Sequence, residues 1–155
     1  MGIFNAISIA GTGMSAERLR SDVIADNIAN ANTQRTTEGG VFRRKRVILR
    51  PMAEQPYWRS PFLPDSMDNG PGKGVRVVEL QEDRESPLRR VYDPTHPDAL
   101  KTGEWAGYVE YPNVDIVSEM VDLIAASRAY EANASIVEGS KTMFMRALDI
   151  GSAGR

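Results

Sequence analysis

The 155-residue sequence contains no cysteine, which excludes disulfides, thiol catalysis and cysteine-ligated zinc. It has a single histidine, His96. That is too few for a multi-histidine metal site, and it leaves little basis for a Ser-His-Asp triad. Neither charge is in clear excess: 19 Lys and Arg stand against 21 Asp and Glu, a formal charge of −2. A general nucleic-acid binder would carry a basic surplus. No stretch approaches the ~20 apolar residues of a membrane helix. The first twenty residues also lack the basic start and long apolar core of a Sec signal peptide. With no catalytic constellation in view, the expectation is a protein that is not an enzyme, with no cofactor, no resident metal, no small-molecule substrate and no nucleic-acid partner.

Proline is absent from both ends. All nine prolines lie between Pro51 and Pro112. Proline breaks helix interiors, so residues 1–50 and 113–155 are free to form long helices and the middle is not. Charge is spread evenly, at −1, +1 and −2 over residues 1–40, 41–112 and 113–155. Hydrophobic residues make up 41% and charged residues 26%, a balance that can bury a core.

The spacing predicts an N-terminal helix from Ile3 to Asn30. Ile3, Ile7, Ala10 and Met14 form one stripe; Ala16, Leu19 and Val23 form a second, with Ile24 and Ile28 alongside. Gly11 and Gly13 stand between them and suggest a kink or a change of face, at a cost of about 1 kcal/mol each relative to alanine. Asn30, Ala31, Asn32 and Thr33 then stop the helix. A C-terminal helix is expected after a cap at Asn113 or Asp115, with Glu119 in its first turns, where the macrodipole favours acids. Its stripe runs Met120, Leu123, Ser127, Tyr130, Ala134, Val137, Lys141, Phe144, Leu148, a coiled-coil period held for about four heptads. Gly151 and Gly154 are expected to end it. Between the helices, Val41–Leu49, Val75–Leu80 and Tyr108–Tyr111 read as strands and Pro51–Gly74 as an extended loop.

These readings give an α+β fold. Long N- and C-terminal helices pack as an α-helical hairpin or coiled coil, with a small β-rich central insert. The divisions fall at 1–40 (N-terminal helix and turn), 41–112 (β- and loop-rich segment) and 113–155 (C-terminal helix). Isolated amphipathic helices are marginal in water, so such ends gain stability from copies of themselves or from partners.

Two stretches identify that setting. Residues 13–16, Gly-Met-Ser-Ala, are followed by Asn27-Ile28-Ala29-Asn30-Ala31-Asn32-Thr33, and this pattern resembles the N-terminal signature of bacterial flagellar rod and hook axial proteins. Asn113-Val114-Asp115 and Ser127-Arg128-Ala129-Tyr130-Glu131-Ala132-Asn133 are similar to the family's C-terminal signature. The short length, with residues 91–99 and 107–115, matches the proximal-rod members. The resemblance implies a structural subunit whose terminal helices polymerise into a hollow helical tube. That tube transmits torque from motor to hook and passes exported subunits. The implied partners are other copies of itself, neighbouring rod proteins, the MS-ring junction protein and the flagellar type III export apparatus. The implied location is the periplasmic part of the basal body, reached without a cleaved signal peptide. The expected assembly interface comprises Ile3, Ile7, Met14, Leu19, Val23, Asn27, Ile28, Asn30 and Asn32 at one end. At the other it comprises Asn113, Asp115, Met120, Leu123, Arg128, Tyr130, Ala134, Val137, Phe144 and Leu148. From the residues alone, a soluble adaptor that binds one partner through a two-helix coiled coil stays open as a second reading.

Arg43-Arg44-Lys45-Arg46 is the most basic run. As a strand it would split its charge between two faces, so a solvated strand or an intersubunit ion-pair surface is expected in place of a nucleic-acid patch. His96 lies between Pro94 and Pro97 and reads as part of a rigid turn. Met120, Met143, Phe144 and Met145 read as packing surface. Arg128, amid small residues, is a candidate for a buried or interfacial ion pair. The β segment is expected to fold without the first thirty residues.

Overall fold

The computed structural model describes residues 3–37, 39–52 and 72–152. Six elements follow in chain order: α1 (Ile3–Ala29), β1 (Lys45–Pro51), β2 (Val75–Glu82), β3 (Arg89–Tyr92), β4 (Tyr108–Tyr111) and α2 (Ile116–Ser152). The fold is the expected α+β arrangement of two long terminal helices that pack together around a small β insert. Most of the predicted Pro51–Gly74 loop lies outside the described residues. Among the described residues, no helix is long and apolar enough to cross a membrane.

The helix limits follow from local chemistry. Asp115 caps α2: its Oδ1 accepts the Val117 N–H at 3.1 Å, and its carbonyl accepts the Glu119 N–H at 2.9 Å. Asn113, the alternative cap, is used elsewhere. α1 ends where Asn30 turns its side-chain amide back onto the Asp26 carbonyl and carboxylate, both at 2.9 Å. The glycines do not break α1, which is one continuous helix. Likewise α2 runs through Gly151 to Ser152.

The chain divides into two compact units. The first comprises Met1–Leu19, Ile48–Glu79 and Ala126–Arg155; the second comprises Arg20–Val47 and Leu80–Ala125. In the first unit the two helices run antiparallel. The Phe4 and Phe144 rings meet edge to face at 5.7 Å. A methyl group on Gly13 would lie 2.9 Å from the Asn133 amide nitrogen, so glycine there is what admits the Asn133 side chain. Thr12 Oγ1 accepts the Val75 N–H at 3.2 Å, tying β2 to α1.

In the second unit the helix pair is again antiparallel, through Arg20 with Asp122 and Asn27 with Glu119. β3 and β4 form an antiparallel pair, with Val91 opposite Val109 and Tyr92 opposite Tyr108. β3 is the strand that sequence reading missed: it is only four residues long and opens with two arginines. Those arginines are exposed but find partners within the hairpin. Arg90 pairs with Glu110 across the strands at 3.0 Å and stacks on Trp105, while Arg89 stacks on Tyr111. Val109 is fully buried and anchors the sheet.

Along α2, the buried positions Glu119, Ala126 and Ser140 are joined by Asn133, which faces Gly13. They recur every seven residues. On α1, Gly13, Arg20 and Asn27 share that spacing and supply the contacts to α2. The seam within the chain is therefore lined by small and polar residues. Of the predicted stripe, Met120, Ser127, Ala134 and Lys141 lie one residue past these positions, and Leu123, Tyr130, Val137 and Phe144 lie four past them, along the flank of the seam.

Candidate assembly site

The most deeply buried chemistry lies in the second unit. The Asn27 side chain is 1% exposed, and its amide reproduces both halves of a backbone pairing with Lys45. Its Oδ1 accepts the Lys45 N–H at 2.9 Å, and its Nδ2 donates to the Lys45 carbonyl at 2.9 Å. The same nitrogen donates to Glu119 Oε2 at 3.1 Å. Glu119 is also 1% exposed, and it lies against Arg44, with Nε to Oε1 at 2.5 Å. Arg44 extends to Asp122 at 3.1 Å. Asn113 completes the joint: its Oδ1 accepts the Arg44 N–H at 2.9 Å, and its Nδ2 donates to the Asp83 carbonyl at 3.1 Å. A buried carboxylate costs least with its charge and lone pairs answered. Here the Arg44 guanidinium answers the charge and the Asn27 amide answers Oε2, while Glu119 Oε1 and Arg44 Nε touch without forming an aligned hydrogen bond.

Asp83 terminates β2 at the same place. Its N–H donates to the Arg44 carbonyl at 2.7 Å. Its carboxylate accepts the Ser86 N–H and hydroxyl at 3.0 and 2.7 Å and pairs with Arg46 at 2.7 Å. The Ser86 N–H bond, then the Ser86 hydroxyl, hold its carboxyl below the usual carboxylate range, with Arg46 and the Glu85 N–H adding to this against desolvation. A depressed folded-state value stabilises the fold above the unfolded aspartate pKa of about 3.9, and that stabilisation is lost as pH falls through the folded value. Asp83→Asn is therefore expected to cost about 1–2 kcal/mol at pH 7 through its weakened charge-assisted bonds. In urea titrations the difference from the parent chain should begin to shrink below about pH 4 and be lost only as pH falls through the lower folded value. A constant difference across that range would remove the ionised carboxylate from the joint.

This geometry revises several expectations. The charges of the basic run find partners within the unit, with Lys45 and Arg46 still partly in solvent. Arg43 donates to the Ser86 carbonyl, Arg44 meets Glu119 and Asp122, Lys45 meets Asp26, and Arg46 meets Asp83. Strand geometry begins only at Lys45, so the predicted alternation of faces does not apply to Arg43 and Arg44. Arg128 is not buried; it pairs along its own helix with Glu131 at 2.9 Å, both side chains in solvent. His96 sits in the loop between β3 and β4, where its Nδ1 accepts the Asp98 N–H. Asn27 holds both backbone groups of Lys45, which ties the start of β1 to α1.

The expected interface residues range from buried to exposed in the single chain. Val23, Asn27 and Asn113 are inside the second unit, and Asp115 is the α2 cap. Asn30 and Asn32 lie in the turn after α1, and Asn30 also accepts the Thr33 hydroxyl. Ile7, Met14, Leu19, Ile28, Leu123, Ala134 and Val137 are half-buried, and Ile3 opens α1. Met120, Tyr130, Phe144 and Leu148 are exposed in the single chain, as are Val117, Val121, Ile124 and Ile136. Sequence reading missed the roles of Arg44, Asp83 and Ser86. It placed Glu119 only as a favourable charge near a helix start. The one signal was the heptad spacing of polar and small residues, which a search for apolar stripes passes over.

The chain buries the Glu119 carboxylate against Arg44 and leaves large apolar residues of its helices exposed, a pattern that subunits of assemblies show. The comparisons place it among such proteins. Residues 7–35 match the family model described as flagella basal body rod protein, and residues 106–150 match the C-terminal domain of the flagellar basal body rod FlgEFG proteins. The chain is 55% identical over 150 residues to the flagellar basal-body rod protein FlgC of Borreliella burgdorferi, covering 97% of this chain and 98% of that one. It is 39% identical to FlgC of Bacillus subtilis and 33% identical to FlgC of Salmonella typhimurium, in each case over 97% of this chain and 99% of the relative. The chain belongs to the FlgC family of flagellar basal-body rod proteins, structural subunits of the basal body.

Proposed function

We propose that this chain is a subunit of the proximal rod of the flagellum. Its terminal helices pack against copies of itself and against neighbouring rod proteins to form the wall of a hollow tube. The tube carries torque from motor to hook and lets later subunits pass through. The chain lies in the periplasm, meets the MS-ring junction protein at the base, and leaves the cytoplasm through the flagellar type III apparatus with no signal peptide cleaved. One observation carries the reading. The two family-matched segments contribute the two sides of the polar joint, while Val117, Val121 and Ile124 on the same stretch of α2 stay exposed. Apolar surface of that kind is stabilised when another chain covers it.

The test is replacement of the native subunit in its own bacterium, followed by imaging of isolated basal bodies. Loss of the chain is expected to leave basal bodies without a rod. In the rebuilt rod Tyr130, Phe144 and Leu148 should face neighbouring chains. A rod in which these side chains face water would overturn the assigned interface.

A second expectation concerns Gly13. Gly13→Ala brings a methyl group against Asn133 and should reduce swimming and rod recovery severalfold. Adding Asn133→Ala should restore both. Gly11→Ala meets nothing within 4 Å and should leave both unchanged. Equal behaviour of the two alanine variants would mean that the Asn133 contact does not set the helix pairing in the rod.

A further inference from the structure

Two charged groups of the second unit lack a counter-ion, and they are complementary. The turn after α1, the start of β1 and the loop between β2 and β3 enclose an open cavity of about 880 Å³. Its walls carry Arg35, Arg43, Lys45 and Arg84, with Val41 and Leu88 among them. Three of these cations meet a carboxylate: Arg35 with Asp98, Lys45 with Asp26 and Arg84 with Glu82. The lining acid Glu110 is matched by Arg90. Arg43 alone has no carboxylate partner among the described residues. Its Nη1 donates to the Ser86 carbonyl at 3.1 Å, which uses one N–H of the guanidinium fork and leaves the charge unanswered.

The matching group is on the loop between β3 and β4. Glu104 is exposed and forms no ion pair among the described residues. Next to it, Trp105 is 41% exposed. Arg90 lies 4.5 Å over the Trp105 ring, and Tyr108 meets that ring edge-on at 5.5 Å. Gly103 and Gly107 bracket the turn at φ of 100° and 82°, values that favour glycine. The Gly107 N–H donates to the Leu100 carbonyl at 2.9 Å, and the Leu100 N–H to the Tyr108 carbonyl at 3.0 Å. A turn closed in this way loses little conformational freedom when it binds.

We propose that the turn 103–107 of one copy seats in this cavity of the next copy, with the Glu104 carboxylate on the Arg43 guanidinium and the Trp105 ring against Val41 and Leu88. Charge complementarity selects the occupant: one uncompensated cation in the cavity and one uncompensated carboxylate on the turn. A planar guanidinium holds a carboxylate through paired hydrogen bonds and so fixes register. Tryptophan and arginine are the side chains that most often carry interface energy. The contact joins two different surfaces of one chain, so it is head-to-tail, and such contacts propagate into open helical assemblies. This rests on the rod reading for the presence of a next copy.

The experiment uses the full chain in its own bacterium. Glu104→Arg should lower swimming and rod recovery on the order of tenfold, since it places like charges together. Arg43→Glu in the same chain should restore most of both. Circular dichroism and urea unfolding of the purified variants check that each is folded. Normal swimming with Glu104→Arg would overturn the proposal, as would a folded double variant no better than Glu104→Arg alone. A second measurement stands apart from the fold of the Arg43 variant. The sequence has no cysteine, so Thr37→Cys at the cavity rim and Ala106→Cys in the turn give a chain whose links can form only there. Both changes leave Arg43, Glu104 and Trp105 in place. Oxidation of isolated basal bodies should yield a ladder of linked copies. No ladder, dimers only, a link within one chain or a link to a different protein would each overturn the proposal. Rebuilding the rod with the parent chain tests the rod reading, so its failure is distinct from failure of the variants.

Discussion

Arg44→Met is expected to lower the unfolding free energy of the free chain by about 2–4 kcal/mol, a little under the ~3–5 kcal/mol of a fully buried pair because the Arg44 side chain is 23% exposed. Glu119 would sit at 1% exposure with only the Asn27 amide and no cation beside it. Asp122 would lose its 3.1 Å contact as well, but that carboxylate is well solvated and contributes little. The informative companion is the double variant Arg44→Met with Glu119→Gln. It removes both charges and keeps a side-chain oxygen for Asn27. Stability should return to within about 1–2 kcal/mol of the parent, because a buried pair contributes little net stability once the cost of burying its charges is counted. Urea unfolding of the three proteins at pH 7 provides the measurement. A loss below about 1 kcal/mol for Arg44→Met would show that water reaches Glu119 and that the joint is not dry.

Ala134→Asp is expected to abolish rod assembly and swimming while leaving the free chain folded. Ala134 is half-buried on α2, beside the Asn133 that faces Gly13. In the rod, close helix packing would bury the new carboxylate without a partner, at a cost of several kcal/mol. In the free chain the same carboxylate can reach water. Circular dichroism of the purified protein should therefore be unchanged, and no intact basal bodies should be recovered from cells. Motile cells carrying this change would remove Ala134 from the interface. Loss of monomer helix signal would mean that this stretch is already packed within one chain, as the adaptor reading requires.

The sequence by itself determined the elements whose causes are local. The absence of proline from both ends permits the long helices, Asp115 marks the start of α2, and Asn30 marks the end of α1. Residues 27–33 and 113–115 also pointed to the family before any geometry was known. Tertiary structure decided which face of each helix is inside. Hydrophobicity assigned α2 the stripe through Met120, Tyr130 and Leu148, yet the chain packs on Glu119, Ala126, Asn133 and Ser140. Periodicity gives the angle of an apolar stripe and does not say whether that stripe meets its own chain or another. Small and polar residues let the two helices approach, and that leaves the larger apolar side chains outside. The basic run shows the same limit: the charges of Arg44, Lys45 and Arg46 are visible in sequence, but their partners lie 78, 19 and 37 positions away. Only the folded chain brings such distant groups within reach, since a Coulomb contact or hydrogen bond acts over a few ångströms of space whatever the separation along the backbone.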